Sequence, residues 1–242
     1  AGGAVKFATV ADVCTQVRRL ATAFDELGIS PGARVGTFCW NTEEHLVLYL
    51  AAPCTGRVLH TVNIRLFPEQ IAFVVNHAHD EILFVERSLF ATLWPLADEL
   101  PAVKYFVVID DGSDQEIPDH PRVLRYDRVL AEHPPRRGEF VVDDENSAAA
   151  MCYTSGTTGN PKGVVLTHAN LQHNAASFKR TLGYADDTHF GGWIPQYHDM
   201  GLMALVLPPL FHGSTCYMMT PHQFLRRPLF WLKLINQSVI NH

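Results

Sequence analysis

Four times between residues 9 and 109, a stretch with apolar residues every three to four positions gives way to a short β-branched run. That alternation leaves few folds open. Thr9 caps a 3.6-residue period carried by Val10, Val13, Val17, Leu20, Ala23, Phe24 and Leu27, and Gly28 ends it. Pro31-Gly32 turns into a strand over 34–39, and Asn41-Thr42 caps a helix running to about 54. Strands over 58–62, 81–85 and 104–109 are separated by helices over 68–79, opened by Pro68, and 88–100. Strands joined by helical crossovers run parallel, and both faces of their sheet are covered. The expected fold class is therefore α/β, with parallel sheets flanked by helices.

The pattern then loosens. Residues 110–120 are acidic and polar and read as a loop, 127–132 as a short helix. Residues 134–147 are charged and irregular, and make the natural linker between an α/β subdomain over 1–133 and a second one over 148–242. In the second, the reading is a helix over 170–182, a strand at 190–193, a helix at 201–207, a strand at 215–219 and a helix over 221–240.

Composition narrows function by exclusion. Net charge is −6 with no Lys/Arg-rich run, which argues against a nucleic-acid partner. The most apolar stretch, 203–211, is broken by Pro208-Pro209 and falls short of the ~20 residues that span a bilayer. The five cysteines are odd in number and widely spaced among mostly apolar neighbours, so they read as free, buried thiols of a reducing cytoplasm. His77 and His79 lie two apart and point to different faces, which favours solvated surface over a metal site.

The chemistry concentrates in residues 153–168, Tyr-Thr-Ser-Gly-Thr-Thr-Gly-Asn-Pro-Lys-Gly-Val-Val-Leu-Thr-His. Thr154, Ser155, Thr157 and Thr158 supply hydroxyls, Gly156, Gly159 and Gly163 bare backbone, and Lys162 a cation. Glycine lets backbone N–H groups converge on an anion, and the hydroxyls and ammonium add donors, so a polyphosphate is the natural ligand. A Walker loop is excluded: two residues separate Gly156 from Gly159, and Lys162 precedes a glycine and then a β-branched run. The segment reads as strand–loop–strand. A second constellation, Trp193-Ile194-Pro195-Gln196-Tyr197-His198-Asp199-Met200-Gly201-Leu202, follows a strand and opens a helix, where open α/β sheets bind ligands. His198 can donate to a phosphoryl or carboxylate oxygen; equally, Asp199 can cap the helix and His198 be a satisfied interior histidine.

The run Thr154-Ser155-Gly156-Thr157-Thr158-Gly159-Asn160-Pro161-Lys162-Gly163 resembles the phosphate loop of the adenylate-forming, acyl-activating enzymes. Trp40-Asn41, His45, His60-Thr61-Val62-Asn63, Arg65-Leu66 and Pro68-Glu69-Gln70 resemble fatty acyl-CoA synthetases. The segment 193–202, Phe224-Leu225, Arg227-Pro228 and Trp231-Leu232 resemble fatty acyl-AMP ligases. The change falls in or just after the shared loop, as in a subfamily intermediate or a recombinant. The front-half motifs read as packing and capping positions.

The resemblance implies part of the large N-terminal domain of an adenylate-forming enzyme, an N-terminal fragment that is inactive alone. The implied activity is ATP-dependent conversion of a fatty acid to acyl-AMP, then thioester formation with coenzyme A or with the phosphopantetheine of an acyl carrier protein. Residues 154–159, Lys162 and Gly163 would hold the ATP phosphates, with Thr154 a Mg²⁺ ligand. Lys162 and His198 would be catalytic, His198 beside the acyl-adenylate, and Trp193, Tyr197 and Met200 would lie near the acyl chain or adenylate. A non-catalytic polyphosphate- or nucleotide-binding module is the alternative of another class.

Overall fold

The computed structural model describes residues 6–154, 161–185 and 187–242. Helix α1 (Val10–Glu26) starts as its sequence dictates: Thr9 Oγ1 accepts from the Asp12 amide and Asp12 accepts from the Thr9 amide. There follow β1 (Arg34–Phe38), α2 (Glu43–Cys54), β2 (Val58–Thr61), α3 (Pro68–Ala78) and β3 (Asp80–Glu86). The helix expected over 88–100 is a short α4 (Phe90–Leu93) between two 3₁₀ turns, Arg87–Leu89 and Trp94–Glu99. Pro95 explains the break, since its nitrogen has no proton to donate. Next come β4 (Tyr105–Ile109), β5 (Val123–Arg125), which the sequence pattern did not reveal, and α5 (Tyr126–Glu132).

The second part supplies β6 (Ala148–Thr154), β7 (Lys162–Thr167), α6 (His168–Leu182), β8 (Phe190–Gly192) and α7 (Asp199–Gly201). The helix widens to a π turn over Leu202–Val206 and continues as α8 (Leu207–His212). Then come β9 (Cys216–Met218), α9 (Pro221–Arg226) and α10 (Pro228–Ser238). The single helix expected over 221–240 is thus two. Pro228 cannot continue α9, and Arg227 before it takes φ −144°, ψ 66°.

Seven strands form one sheet in the order β5-β4-β3-β1-β2-β6-β7. All neighbours are parallel except β6 and β7. The exception is the expected strand–loop–strand: a connection too short for a crossover must turn back on itself. β6 lies beside β2, with Leu59 opposite Ala150 and Thr61 opposite Cys152, so the segment after residue 147 enters the sheet begun by residues 34–38. β8 and β9 form a separate parallel pair.

Side-chain alternation along the central strands feeds two cores. Ile82 and Phe84 of β3, with Val107 and Ile109 of β4, join α1, α2 and α5. Leu83 and Val85, with Phe106 and Val108, join α3 and α4 on the other face. Each such side chain is worth roughly 1.5–3 kcal/mol on leaving water, which explains why these runs are continuously apolar.

Candidate active site

The phosphate-loop motif spans the β6–β7 hairpin. Thr154 is the last residue of β6 and lies opposite Lys162, the first of β7; both are exposed. The Thr154 hydroxyl donates to the Lys162 carbonyl at 3.5 Å, long for a hydrogen bond. The positions expected to complete the cradle, Ser155, Gly156, Thr157, Thr158 and Gly159, lie outside the described residues. Gly163 faces Tyr153, and a Cβ there would come 3.1 Å from the phenol ring. The bare backbone lets Tyr153 lie across the hairpin base. Its hydroxyl sits 2.7 Å from His77 Nδ1 and its ring 5.0 Å from that of His60. The hairpin is therefore tied to α3 and β2 just before its mouth. Beside it a small cleft is lined by His60, Thr61, Asn63, Tyr153, Thr154 and Pro161. His60 is itself held by Asp80, Nδ1 to Oδ2 2.7 Å, and burial pushes the Asp80 carboxyl above its usual range.

The 193–202 segment leaves β8 and turns into α7. His198 is the N-cap of that helix, with Nδ1 2.5 Å from Asp199 Oδ1 and within reach of the Met200 amide. Its side chain is 60% exposed, so it is not an interior histidine. Gly201 is demanded by contact: a Cβ there would stand 1.9 Å from the Pro195 carbonyl oxygen. Trp193 stacks face to face on Phe224, ring centroids 4.1 Å apart, and Met200 is exposed. Tyr197 is buried, and burial raises its pKa against the opposing pull of the nearby Arg65.

One side chain joins the two constellations. The Thr61 hydroxyl, at the carboxyl end of β2, lies 3.6 Å from Cys152 Sγ, two residues before Thr154. It also donates to the carbonyl of Tyr197, next to His198, at 3.4 Å. Hairpin and histidine segment thus meet where parallel sheets present ligand sites. Thr61 was read from sequence only as packing, inside a strand expected over 58–62; that it ends the strand is seen only in the fold.

Lys162 and the Thr154 hydroxyl, exposed side by side at the hairpin mouth, suit phosphate oxygens, and a threonine hydroxyl is a hard donor of the kind Mg²⁺ accepts. No cluster of three His, Cys, Asp or Glu residues fit to hold a metal occurs among the described residues, and no helix there is long and apolar enough to cross a membrane. Of the five cysteines expected to be buried, only Cys39 is fully so; Cys54, Cys152 and Cys216 are partly buried, and Cys14 is exposed, since it lies off the buried stripe of α1 formed by Val13, Val17 and Leu20.

Known proteins share this frame. The chain is 36% identical over 189 residues to a medium-chain-fatty-acid–CoA ligase of Ectopseudomonas oleovorans, covering 77% of this chain and 34% of the relative. It is 51% identical over 85 residues to a medium-chain-fatty-acid–[acyl-carrier-protein] ligase of Teredinibacter turnerae, covering 35% of this chain and 13% of the relative. The fold is similar to that of the fatty acyl-adenylate ligase from L. pneumophila, solved with acyl adenylate and pyrophosphate, at TM-score 0.77 and 22% identity over 99% of this chain and 39% of the other. The chain spans about a third of the length of the curated relatives it matches over most of its own length. Residues 4–242 match the AMP-binding enzyme family, and the chain belongs to it.

Proposed function

We propose that the whole protein activates a fatty acid with ATP and passes the acyl group to the thiol of coenzyme A. The observation that carries this reading is the shared contact of Thr61, which sets the hairpin mouth and the His198 segment at one end of the sheet. A carboxylate oxygen attacks the α-phosphorus of ATP; the new P–O bond forms as the bond to pyrophosphate breaks. The thiol sulfur then attacks the acyl carbon, and AMP leaves. The protein's part is positioning and charge neutralisation. Lys162, Thr154, residues 155–159 and Gly163 hold the outgoing phosphates. His198 orients the α-phosphate or the carboxylate, and Trp193, Tyr197 and Met200 lie toward the acyl chain. Mg²⁺, held partly by Thr154, would neutralise phosphate charge. The likeness to fatty-acid–CoA ligases supports the substrate class, and the unpaired cysteines support a reducing cytoplasm. The 51% match to a carrier-protein ligase favours a second reading for the acceptor, the phosphopantetheine thiol of an acyl carrier protein.

The test is hydroxylamine trapping of acyl-AMP by the whole protein, across fatty-acid lengths and with or without coenzyme A. Lys162→Ala is expected to slow trapping about 100-fold with an unchanged urea midpoint, since the side chain is exposed. Undiminished trapping in that variant would remove the hairpin from the mechanism.

A further inference from the structure

The carboxyl end of β1 is where a sheet of this order ordinarily receives a ligand. Within the larger sheet, the run β2-β1-β3-β4-β5 is a doubly wound order that reverses direction at β1 and β3. Here that position is filled by the chain itself. Asn41, in the turn after β1 and 6% exposed, accepts from the Gln196 amide at Oδ1, 2.8 Å. Its Nδ2 donates to the Ile194 carbonyl at 2.7 Å and to the Met219 carbonyl at 3.2 Å. One amide thus engages the strand-to-helix turn on both sides of Pro195 and also the end of the β9 segment. The carbonyl of Gln196, a fully buried residue, receives the Tyr49 hydroxyl from α2.

We propose that Asn41 is a positioning residue for His198: it holds the 194–196 backbone so that the histidine stands at the site. The inference rests on the role given to His198 in the proposed function. Three features carry it. The partners are backbone atoms, so the bonds set the path of the chain rather than one rotamer. All three lie in one short turn and its neighbouring strand end. And Gly201 brings the start of the helix against Pro195, so a shift at 194–196 moves the helix that His198 caps. Every hydrogen-bonding group of the Asn41 amide that the site can use is committed: the oxygen accepts once and the nitrogen donates twice.

The experiment has two independent readouts on the whole protein. Amide hydrogen exchange at Gln196 reports the clamp directly; in Asn41→Ala the Gln196 amide loses its protection. Steady-state kinetics of acyl-AMP formation report its consequence. In Asn41→Ala, kcat falls about tenfold or more while KM for ATP moves less than about twofold. In a His198→Ala background the same change lowers kcat by less than about twofold more, because the two residues act in series. Should Asn41→Ala fold poorly, Asn41→Asp keeps the acceptor for Gln196 and loses both donors, and the same kinetic pattern is expected. Unchanged protection at Gln196 in Asn41→Ala, an unchanged kcat in either variant, or a full additional loss in the His198→Ala background would each overturn the positioning role. A wild-type protein that forms no acyl-AMP would overturn the proposed function and this role together, and is told apart because it appears without any substitution.

Discussion

β3 and β7 are both read from sequence as aliphatic strands, yet they end in opposite surroundings. β3 lies between β1 and β4, and of its seven residues all but Glu81 are buried. β7 is one of the two outer strands, with Val164 and Val165 44% and 49% exposed. The difference is one of address rather than composition. A β-branched run says that a strand forms; the order of strands decides whether it has helices on both faces. Thr154, Lys162 and His198, three of the residues for which chemistry is proposed, are exposed, so their side chains are not consumed by packing.

Three substitutions test that contrast. Phe84→Ala is the largest. The ring is 1% exposed and meets Phe24 and Tyr126 edge-on at 6.1 and 6.3 Å. Its loss should cost about 3–5 kcal/mol, read as a lower urea midpoint at constant slope. A cost below about 1 kcal/mol would mean the centre is no better packed than the edge.

The second concerns Glu86, the last residue of β3. It accepts from the Trp40 amide at 3.1 Å and the Thr42 hydroxyl at 3.0 Å while 1% exposed, and burial raises its pKa from 4.5 to about 7. The folded chain holds a proton that the unfolded chain has released, so this group's contribution falls as pH rises from about 4.5 through about 7. The full swing is on the order of 3 kcal/mol. Buried His45 pulls the other way. Its Nδ1 donates to the Trp40 carbonyl, and burial lowers its pKa from 6.5 to about 4, so its contribution is lost as pH falls through that window. Glu86→Gln should remove the Glu86 contribution, so that its stability relative to wild type rises between about pH 4.5 and 7 and exceeds wild type at pH 8. Parallel stability-versus-pH curves for the two proteins would rule out a titrating Glu86. The smallest effect belongs to Val165→Thr on β7, expected within about 0.5 kcal/mol of wild type; a loss of about 2 kcal/mol or more would show a covered face there.

Much of this was legible in the residues because the causes are local. Thr9 and Asp12 form their cap within four residues, and the Gly/Ser/Thr loop announces a hairpin because the chain cannot cross over in so few residues. What was not legible depends on distance along the chain or on proline. Pro95 and Pro228 interrupt helices that apolar spacing alone runs through. β5 is three residues long, too short for a period to emerge. Asn41 read as part of a helix cap beside Thr42; Thr42 makes the cap, while the Asn41 amide serves backbone 153 to 178 residues later. Thr61 likewise meets Cys152 and Tyr197 only through the fold. Residue types suggested the chemistry proposed for Lys162 and His198, whereas the side chains that bring their segments together carry no local mark.

The bare α-carbon of Gly201 against Pro195 has a consequence for how such a site can change over generations. The corner before the helix is spaced by main chain touching main chain, a gauge set by the missing side chain at 201. Positions 198–200 ride on that corner with their side chains outward, so their chemistry can be exchanged while the mount stays where it is.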